Sequence, residues 1–179
     1  TSLFASDVDG DSLEFSITSG SDISASLSGA DVTFSAPADY NGSETFTVSV
    51  TDGSETDSQS ITVTVLAVND APVANAATAT TSEDQDVLIS LSGSDIDGDN
   101  LSFSLDVDAT NGSVVIDGSF ATYTPDANYN GYDSFTFSVS DGDLTDAATV
   151  SLTIDAVNDA PVLASVSDVS FDEDDSGST

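Results

Sequence analysis

Lysine, arginine and histidine are missing from this chain of 179 residues, which carries 33 aspartates and glutamates and a formal charge of −33. Proteins bind nucleic acid through Lys and Arg contacts to phosphate, so nucleic acid is excluded as a partner. Anionic membranes are disfavoured for the same reason. Charge of a single sign also opposes compaction, so we expect the folded chain to depend on cations from solution.

Cysteine, methionine and tryptophan are absent as well. Without cysteine the chain has no disulfides and no thiolate metal ligands. Without His, Lys or Cys, catalysis would fall to carboxylates or tyrosine alone, and we predict that the chain is not an enzyme. No apolar run reaches the roughly 18 residues of a membrane helix, so we predict no membrane insertion. Nothing at the start resembles a signal peptide, so the export signal of a secreted protein would lie outside these residues.

The residues that are present favour a folded chain over a disordered one. High net charge is a mark of disorder, but 38% of the residues are hydrophobic. Those hydrophobic residues fall in regular patterns along the sequence. We therefore predict folded domains once divalent cations are present.

The sequence repeats itself with a period close to 89 residues. Residues 40–53, YNGSETFTVSVTDG, return at 129–142 as YNGYDSFTFSVSDG, and VNDAPV at 68–73 returns at 157–162. SDVDGDSLEFS at 6–16 returns as SDIDGDNLSFS at 94–104. Matches in a fixed order indicate tandem repeats. We predict a repeat lacking its first strand over 1–72, a complete repeat over 73–161, and the opening strand of a third over 162–179.

The two ends of the chain complement each other, because 162–175 resembles the opening segment that the first repeat lacks. Two interpretations stay open. Either the chain is a segment of a longer array of repeats, or its tail supplies the missing strand of a neighbouring copy. The second interpretation is β-strand addition, which gives strand exchange or a homopolymer.

Each repeat is predicted to be all-β. Apolar and polar residues alternate at 135–140 and 148–154, which places one face in a core and the other in water. Asp-Gly and Asn-Gly turn signals separate the segments. Six or seven short strands in about 90 residues are typical of a tandem immunoglobulin/cadherin-like Greek-key β-sandwich. The strand candidates in the complete repeat are 87–91, 101–105, 113–117, 120–124, 135–140 and 148–154.

Three carboxylates at alternating positions occur twice, in DVDGD at 7–11 and in DIDGD at 95–99. In a tight turn this spacing lets oxygens converge on a hard cation such as Ca²⁺. An EF-hand is excluded, because the glycine of its sixth position and the glutamate of its twelfth are missing. The alternative is a solvated acidic turn between strands. Asp52 and Asp141 are weaker metal candidates, since an aspartate before glycine is also typical of a β-turn.

VNDAPV resembles the linker between cadherin domains, and the ordered set of ED, SD-DGD-L-F, Tyr-Asn-Gly, SDG and VNDAPV resembles bacterial cadherin-like tandem repeats. Repeats of that kind occur in large secreted adhesins and surface proteins, so the resemblance implies an extracellular or bacterial cell-surface location. It also implies Ca²⁺ as cofactor, bound at domain junctions. The implied ligands are an early acidic pair (Glu83 and Asp84, or Glu173 and Asp174), an internal group (Asp95, Asp97 and Asp99, or Asp7, Asp9 and Asp11) and a linker pair (Asn69 and Asp70, or Asn158 and Asp159).

The linkers depart from the cadherin pattern, which leaves the number of ions open. The additional upstream aspartate of that pattern is matched by Asp155 in one linker, but Leu66 stands there in the other. A second linker asparagine is absent from both.

Two functions from different classes remain. The first is a calcium-rigidified extender, stalk or filament whose partners are neighbouring copies of the repeat. The second is a carbohydrate-binding module, with Tyr123 and Tyr132 as its aromatic candidates and a glycan as partner.

Overall fold

The computed structural model describes residues 1–171 and residue 173, and within them every regular element is a β-strand. The predicted all-β class is confirmed. No helix in the described part is long and apolar enough to cross a bilayer. The chain divides into two compact units. Unit 1 contains Thr1–Pro72 and Asp95–Asp99, and unit 2 contains Val73–Ser94 and Asn100–Thr179.

Unit 1 has five strands: β1 (Glu14–Ile17), β2 (Ser24–Ser28), β3 (Asp31–Ser35), β4 (Gly42–Thr51) and β5 (Thr56–Val65). The first sheet has the order β1-β4-β5, and β2 and β3 form a hairpin. The first residues of the chain run beside β3, where Ser2 bridges Asp31. The buried apolar side chains of this unit are Ile23, Val32, Phe46 and Pro72.

The described residues of unit 2 form nine strands, arranged as a four-stranded sheet (β10-β13-β14-β7), a three-stranded sheet (β11-β12-β8) and a short pair (β6-β9). Alternation explains the core, since Phe135, Phe137 and Val139 of one strand are at most 1% exposed while their neighbours face outward. The strands are β6 (Val73–Asn75), β7 (Ala77–Ser82), β8 (Val87–Ser90), β9 (Ser92–Ser94), β10 (Ser102–Val107), β11 (Gly112–Asp117), β12 (Phe120–Pro125), β13 (Gly131–Ser140) and β14 (Thr145–Asp155).

The opening segment of unit 2 is shared between two sheets. β6 pairs antiparallel with β9, and β7 then pairs in parallel with the end of β14, with Ala77 opposite Val150 and Ser82 opposite Asp155. Ala74, Ala77 and Ala79 pack against the core. This segment therefore closes the sandwich along its last strand.

An aspartate side chain stabilises the turn of each long hairpin, β4–β5 in unit 1 and β13–β14 in unit 2. Asp52 Oδ1 accepts the N–H groups of Ser54 and Glu55, at 2.7 and 2.8 Å. Asp141 Oδ1 accepts the N–H groups of Asp143 and Leu144, both at 2.7 Å. Each carboxylate closes the turn that it begins, as aspartate commonly does. The turn interpretation of Asp52 and Asp141 therefore has a direct structural basis.

A tyrosine corner precedes β13. The hydroxyl of Tyr129 donates to the carbonyl of Tyr132 at 2.7 Å, so the ring lies across the intervening Gly131. A Cβ at Gly131 would lie 3.3 Å from that hydroxyl, and its φ of +137° suits glycine alone. The Tyr-Asn-Gly motif is thus explained by packing.

The six predicted strands of the complete repeat are all present, as β8 and β10 to β14, and no end differs from its predicted position by more than four residues. The opening strand of the repeat was predicted without bounds, and β6 and β7 lie in that opening segment; β9 was not predicted. Residues 161–171 form no strand in the single chain and are exposed. The third-repeat strand over 162–179 and the domain boundaries therefore stay predictions.

Candidate metal centre

Asp95 organises the turn that carries the second DGD motif. Its Oδ1 accepts the N–H groups of Asp97 and Asp99, at 2.9 and 3.3 Å. Gly98 has a φ of +81°, a left-handed conformation that glycine adopts without strain. The alternating spacing therefore folds the chain around one carboxylate.

The three carboxylates of this turn converge. One oxygen each from Asp95, Asp97 and Asp99 lie within 4.8 Å of one another, in the part of the chain that the structure describes. The second oxygen of Asp95, Oδ2, is buried and has no hydrogen-bond partner. A buried carboxylate oxygen without a partner loses its solvation without compensation, so the site gains from a cation there.

Asp70 from the VNDAPV segment joins this group within unit 1. Its N–H donates to Oδ2 of Asp97 at 2.8 Å. Burial raises the pKa of Asp70, and the negative charges of Asp39, Asp97 and Asp95 raise it further. These shifts mark a place where negative charge is crowded and a cation would relieve it. The side-chain amide of Asn69 donates to the carbonyl of Asp70 at 3.3 Å.

Asp39 is the member of this neighbourhood that the sequence analysis missed. It occupies a left-handed backbone position with φ of +59°, directly before the Tyr-Asn-Gly motif. In unit 2 the matching position holds Asn128, with φ of +57°. The sequence did contain a signal for Asp39, because the first repeat has an aspartate at this position and the second has Asn128.

The first DGD motif adopts the same turn. Asp7 Oδ1 accepts the N–H groups of Asp9 and Asp11, at 2.8 and 3.1 Å, and Gly10 has a φ of +84°. Among residues 1–171 and 173, however, the three-carboxylate convergence is found at the second motif. The two motifs thus share the same turn hydrogen bonds, but the three carboxylates come together at the second motif.

Glu83 and Asp84 lie in a second polar group, within unit 2. Glu83 is only 5% exposed, and its carboxylate accepts from the side chain of Asn130 at 3.2 Å and from the N–H of Val157. Asp84 has a φ of +61°, and its Oδ1 accepts the N–H of Asn128 at 2.9 Å. The early acidic pair is therefore placed beside the segment that leads to Asn158 and Asp159.

The remaining predicted ligands lie near that end of the chain. The side chain of Asn158 donates to the carbonyl of Asp159 at 3.0 Å. Glu173 is an exposed turn residue, and Asp174 lies outside the described residues.

The aromatic pair suggested for glycan binding is not a surface platform. Tyr123 is fully buried, and its hydroxyl donates to Asp133 at 3.1 Å and lies 3.2 Å from the carbonyl of Asn111. The prediction for Tyr123 is wrong, because the alternation of β12 turns this side chain into the core. Tyr132 is 81% exposed.

A family model described as "Bacterial Ig domain" matches residues 1–64 and residues 69–153. The chain belongs to the bacterial Ig domain family. The resemblance to bacterial Ig-like and cadherin-like repeats, and the β-sandwich fold, are therefore confirmed. A search among curated proteins found no match to this bacterial Ig chain.

Solved structures give the same fold. Human protocadherin-24 EC1-2, form II, aligns at a TM-score of 0.59 and 16% identity, over 90% of this chain and 88% of that one. A protocadherin gammaB7 EC3-6 cis-dimer structure aligns at 0.54 and 17% identity, over 84% and 43%. An endo-fucoidan hydrolase, MfFcnA4 of glycoside hydrolase family 107, aligns at 0.42 and 23%, over 84% of this chain and 24% of its own length. The bacterial Ig chain thus spans about a quarter of the hydrolase. The two protocadherin alignments, at 16% and 17% identity, show the fold alone.

Proposed function

We propose that the chain is a calcium-binding structural repeat module that serves as a rigid extender, stalk or filament of a bacterial surface adhesin or fibre. The observation that carries the proposal is the buried, unpartnered Oδ2 of Asp95 within a group of three converging carboxylates. The proposal gives the chain no catalytic role. It takes residues 1–72, 73–161 and 162–179 as the parts of a repeat array.

The donor set fits calcium. Ca²⁺ takes about six to eight oxygen ligands in a flexible geometry, whereas Mg²⁺ demands a tighter shell and keeps its waters. Asp95, Asp97 and Asp99 offer carboxylate oxygens, and Asp70 adds a crowded carboxylate from another stretch of chain. The absence of thiols and imidazoles favours a hard cation over zinc.

Further ligands belong to the same proposal. Glu83 and Asp84 form a second site with Asn158 and Asp159, supported by the bond from Val157 to Glu83. Asp7, Asp9 and Asp11 form a third, supported by the shared turn. Asn69 belongs with Asp70, and Glu173 and Asp174 belong with the third repeat.

Stiffening follows from the position of Asp70. It lies in the stretch between β5 and β6, whereas Asp95 follows β9. Bound calcium attracts the carboxylates of both stretches. Because calcium binds only when these stretches are ordered, its binding free energy stabilises the ordered arrangement. Repeats ordered in this way suit projection from a cell surface, with neighbouring copies as partners by association or strand exchange.

A melting experiment tests the proposal. We expect about 1 mM CaCl₂ to raise Tm by several degrees over EDTA at matched ionic strength, because a ligand that binds only the folded state stabilises it. Asp95→Asn should remove most of this increase, since it deletes the central carboxylate. Asp117→Asn is the matched control, because Asp117 is an exposed aspartate on β11.

Small-angle scattering measures the stiffening. The maximum dimension should become better defined with calcium and broaden with EDTA. Identical melting and scattering with and without calcium, or an equal loss in Asp117→Asn and Asp95→Asn, would refute calcium binding at this site.

A further inference from the structure

One face of the β11-β12-β8 sheet carries apolar side chains that point into solvent. Leu88 is 66% exposed, Val115 is 67% exposed and Phe120 is 48% exposed. Each has a buried core residue next to it along its strand, because alternate side chains of a strand point to opposite faces of the sheet. Apolar side chains scattered singly are normal on a protein surface, whereas a contiguous group marks an interaction site.

The strand register brings the three side chains together around Thr122 in the middle of β12. Thr122 lies opposite Leu88 of β8 on one side and opposite Val115 of β11 on the other. Phe120 precedes Thr122 by two residues and so lies on the same face of the sheet. From the spacing of strands and residues, the three side chains are no more than about 10 Å apart. We call these three residues the apolar patch.

Unit 1 shows that the fold does not require the apolar patch. Its β2–β3 hairpin has the same register as the β11–β12 hairpin of unit 2. In the repeat alignment, Val115 corresponds to Ser26 and Phe120 corresponds to Asp31. Because the same hairpin forms with polar residues at these positions, folding does not explain the apolar side chains of unit 2.

Two carboxylates flank the apolar patch at opposite corners. Asp86 lies two residues before Leu88, Asp117 lies opposite Phe120 at the end of β11, and both are exposed. They are two strands and four residues apart, which corresponds to about 16 Å across the face. The chain has no Lys, Arg or His side chain to pair with them. The patch is therefore an apolar surface between two negative charges that lack a side-chain cation.

We infer that the apolar patch binds a segment of a different protein, in which apolar side chains are flanked by Lys or Arg. The apolar side chains of that segment cover the patch, and cations about 16 Å apart meet Asp86 and Asp117, so the charges of the two surfaces are complementary. A second copy of this chain does not fit, because it supplies no Lys or Arg and brings further negative charge against the same face.

This inference goes beyond the proposed function, because the patch and its flanking carboxylates include none of the proposed calcium ligands. Binding at the patch should therefore be the same in EDTA and in CaCl₂ wherever circular dichroism shows the chain to be folded. A failure of calcium binding leaves this inference standing, and a failure of partner binding leaves the calcium site standing.

Two labelled peptides, blocked at both ends, test the inferred chemistry by fluorescence anisotropy. The first is Lys-Lys-Leu-Val-Leu-Lys-Lys, and the second has serine in place of its three apolar residues, which keeps the charge. Both are measured in about 0.15 M NaCl, where the Debye length is about 8 Å. The first peptide should bind at least about fivefold more tightly, because it alone buries apolar surface. Equal affinities would reveal only general attraction to an acidic protein and would overturn the inference.

A double variant, Leu88→Ser with Val115→Ser, tests the location of the site. It should lower the affinity for the apolar peptide to that for the serine peptide, and it should keep the wild-type Tm because both side chains are mostly exposed. Tyr132→Ser is the matched control, since Tyr132 is 81% exposed on the other sheet and unit 1 has Ser43 at that position. An equal loss in the control, or no loss in the folded double variant, would overturn the inference.

The same double variant distinguishes two other occupants of the patch. Self-association in sedimentation at about 0.2 mM, a concentration that detects even weak association, would assign the patch to a second copy if the double variant abolished it. A neutral glycan bound on an array by the wild type and not by the double variant would assign the patch to carbohydrate. Either result would overturn the inferred partner.

Discussion

Asp133 holds the loop between β10 and β11 by hydrogen bonds alone. Its carboxylate accepts the N–H groups of Thr110 and Asn111, at 3.1 and 2.9 Å, and the hydroxyl of Tyr123 at 3.1 Å. Burial by itself raises the pKa of Asp133, but the backbone N–H donors, together with the Tyr123 hydroxyl, hold it below its usual value. With no cation in the chain except its terminus, N–H groups take the place of salt-bridge partners.

We predict that Asp133→Ala lowers the free energy of unfolding by about 1–3 kcal/mol at pH 7, because it removes an acceptor from two part-buried donors, the Asn111 N–H and the Tyr123 hydroxyl. The folded-state pKa of Asp133 lies below the unfolded value, so its contribution is complete above about pH 5 and is lost as the pH falls through the folded-state pKa. Urea unfolding should therefore show the gap between wild type and variant narrowing in acid. A gap independent of pH would contradict this role.

Single acids such as Asp39 and Asp133 mark the limit of what the sequence predicts at this scale. The DGD turns were predictable, because three carboxylates at alternating positions are a local pattern. Asp133 accepts hydrogen bonds from residues 22 and 23 positions away, and the negative charge of Asp39 raises the pKa of Asp70, 31 positions away. Nothing in the residues around one acid among 33 indicates which distant residues it will contact.

At the scale of elements, β13 shows why most strands were predictable. Phe135, Phe137 and Val139 alternate with polar residues, and bulky alternation reports directly which face is buried. By contrast, β7 reads ATATTS and β9 reads SGS, whose small side chains give weak hydrophobic contrast. These strands are specified by pairing with distant partners, which a local pattern does not reveal.

For β13 we predict that Phe137→Ala costs about 3–5 kcal/mol, because Phe137 is fully buried and the cavity left behind collapses only in part. Thr136→Ala on the opposite face of the strand should cost less than about 1 kcal/mol. Chemical denaturation of the two variants measures the difference. Similar losses for both would show that the strand does not have one buried face.

At the scale of the molecule, the charge of −33 dominates the response to solvent. Raising NaCl from about 0.01 to 1 M shortens the Debye length from about 30 to 3 Å. Because self-repulsion destabilises the compact state, we expect Tm to rise steadily with NaCl in EDTA. Differential scanning calorimetry checks this, with KCl at equal concentrations as the control for a specific sodium effect. A Tm that is flat or falls with salt would show that repulsion does not limit stability.

The parallel pairing of β7 with β14 has a mechanical consequence. Ala77 lies opposite Val150 at one end of the ladder, and Ser82 lies opposite Asp155 at the other. Tension applied at the start of β7 and at the end of β14 pulls these neighbours past each other in opposite directions. The six paired positions then resist together in shear, instead of opening one at a time like a zipper. The pairing of β7 with β14 therefore resists a force applied along the strands between the start of β7 and the end of β14.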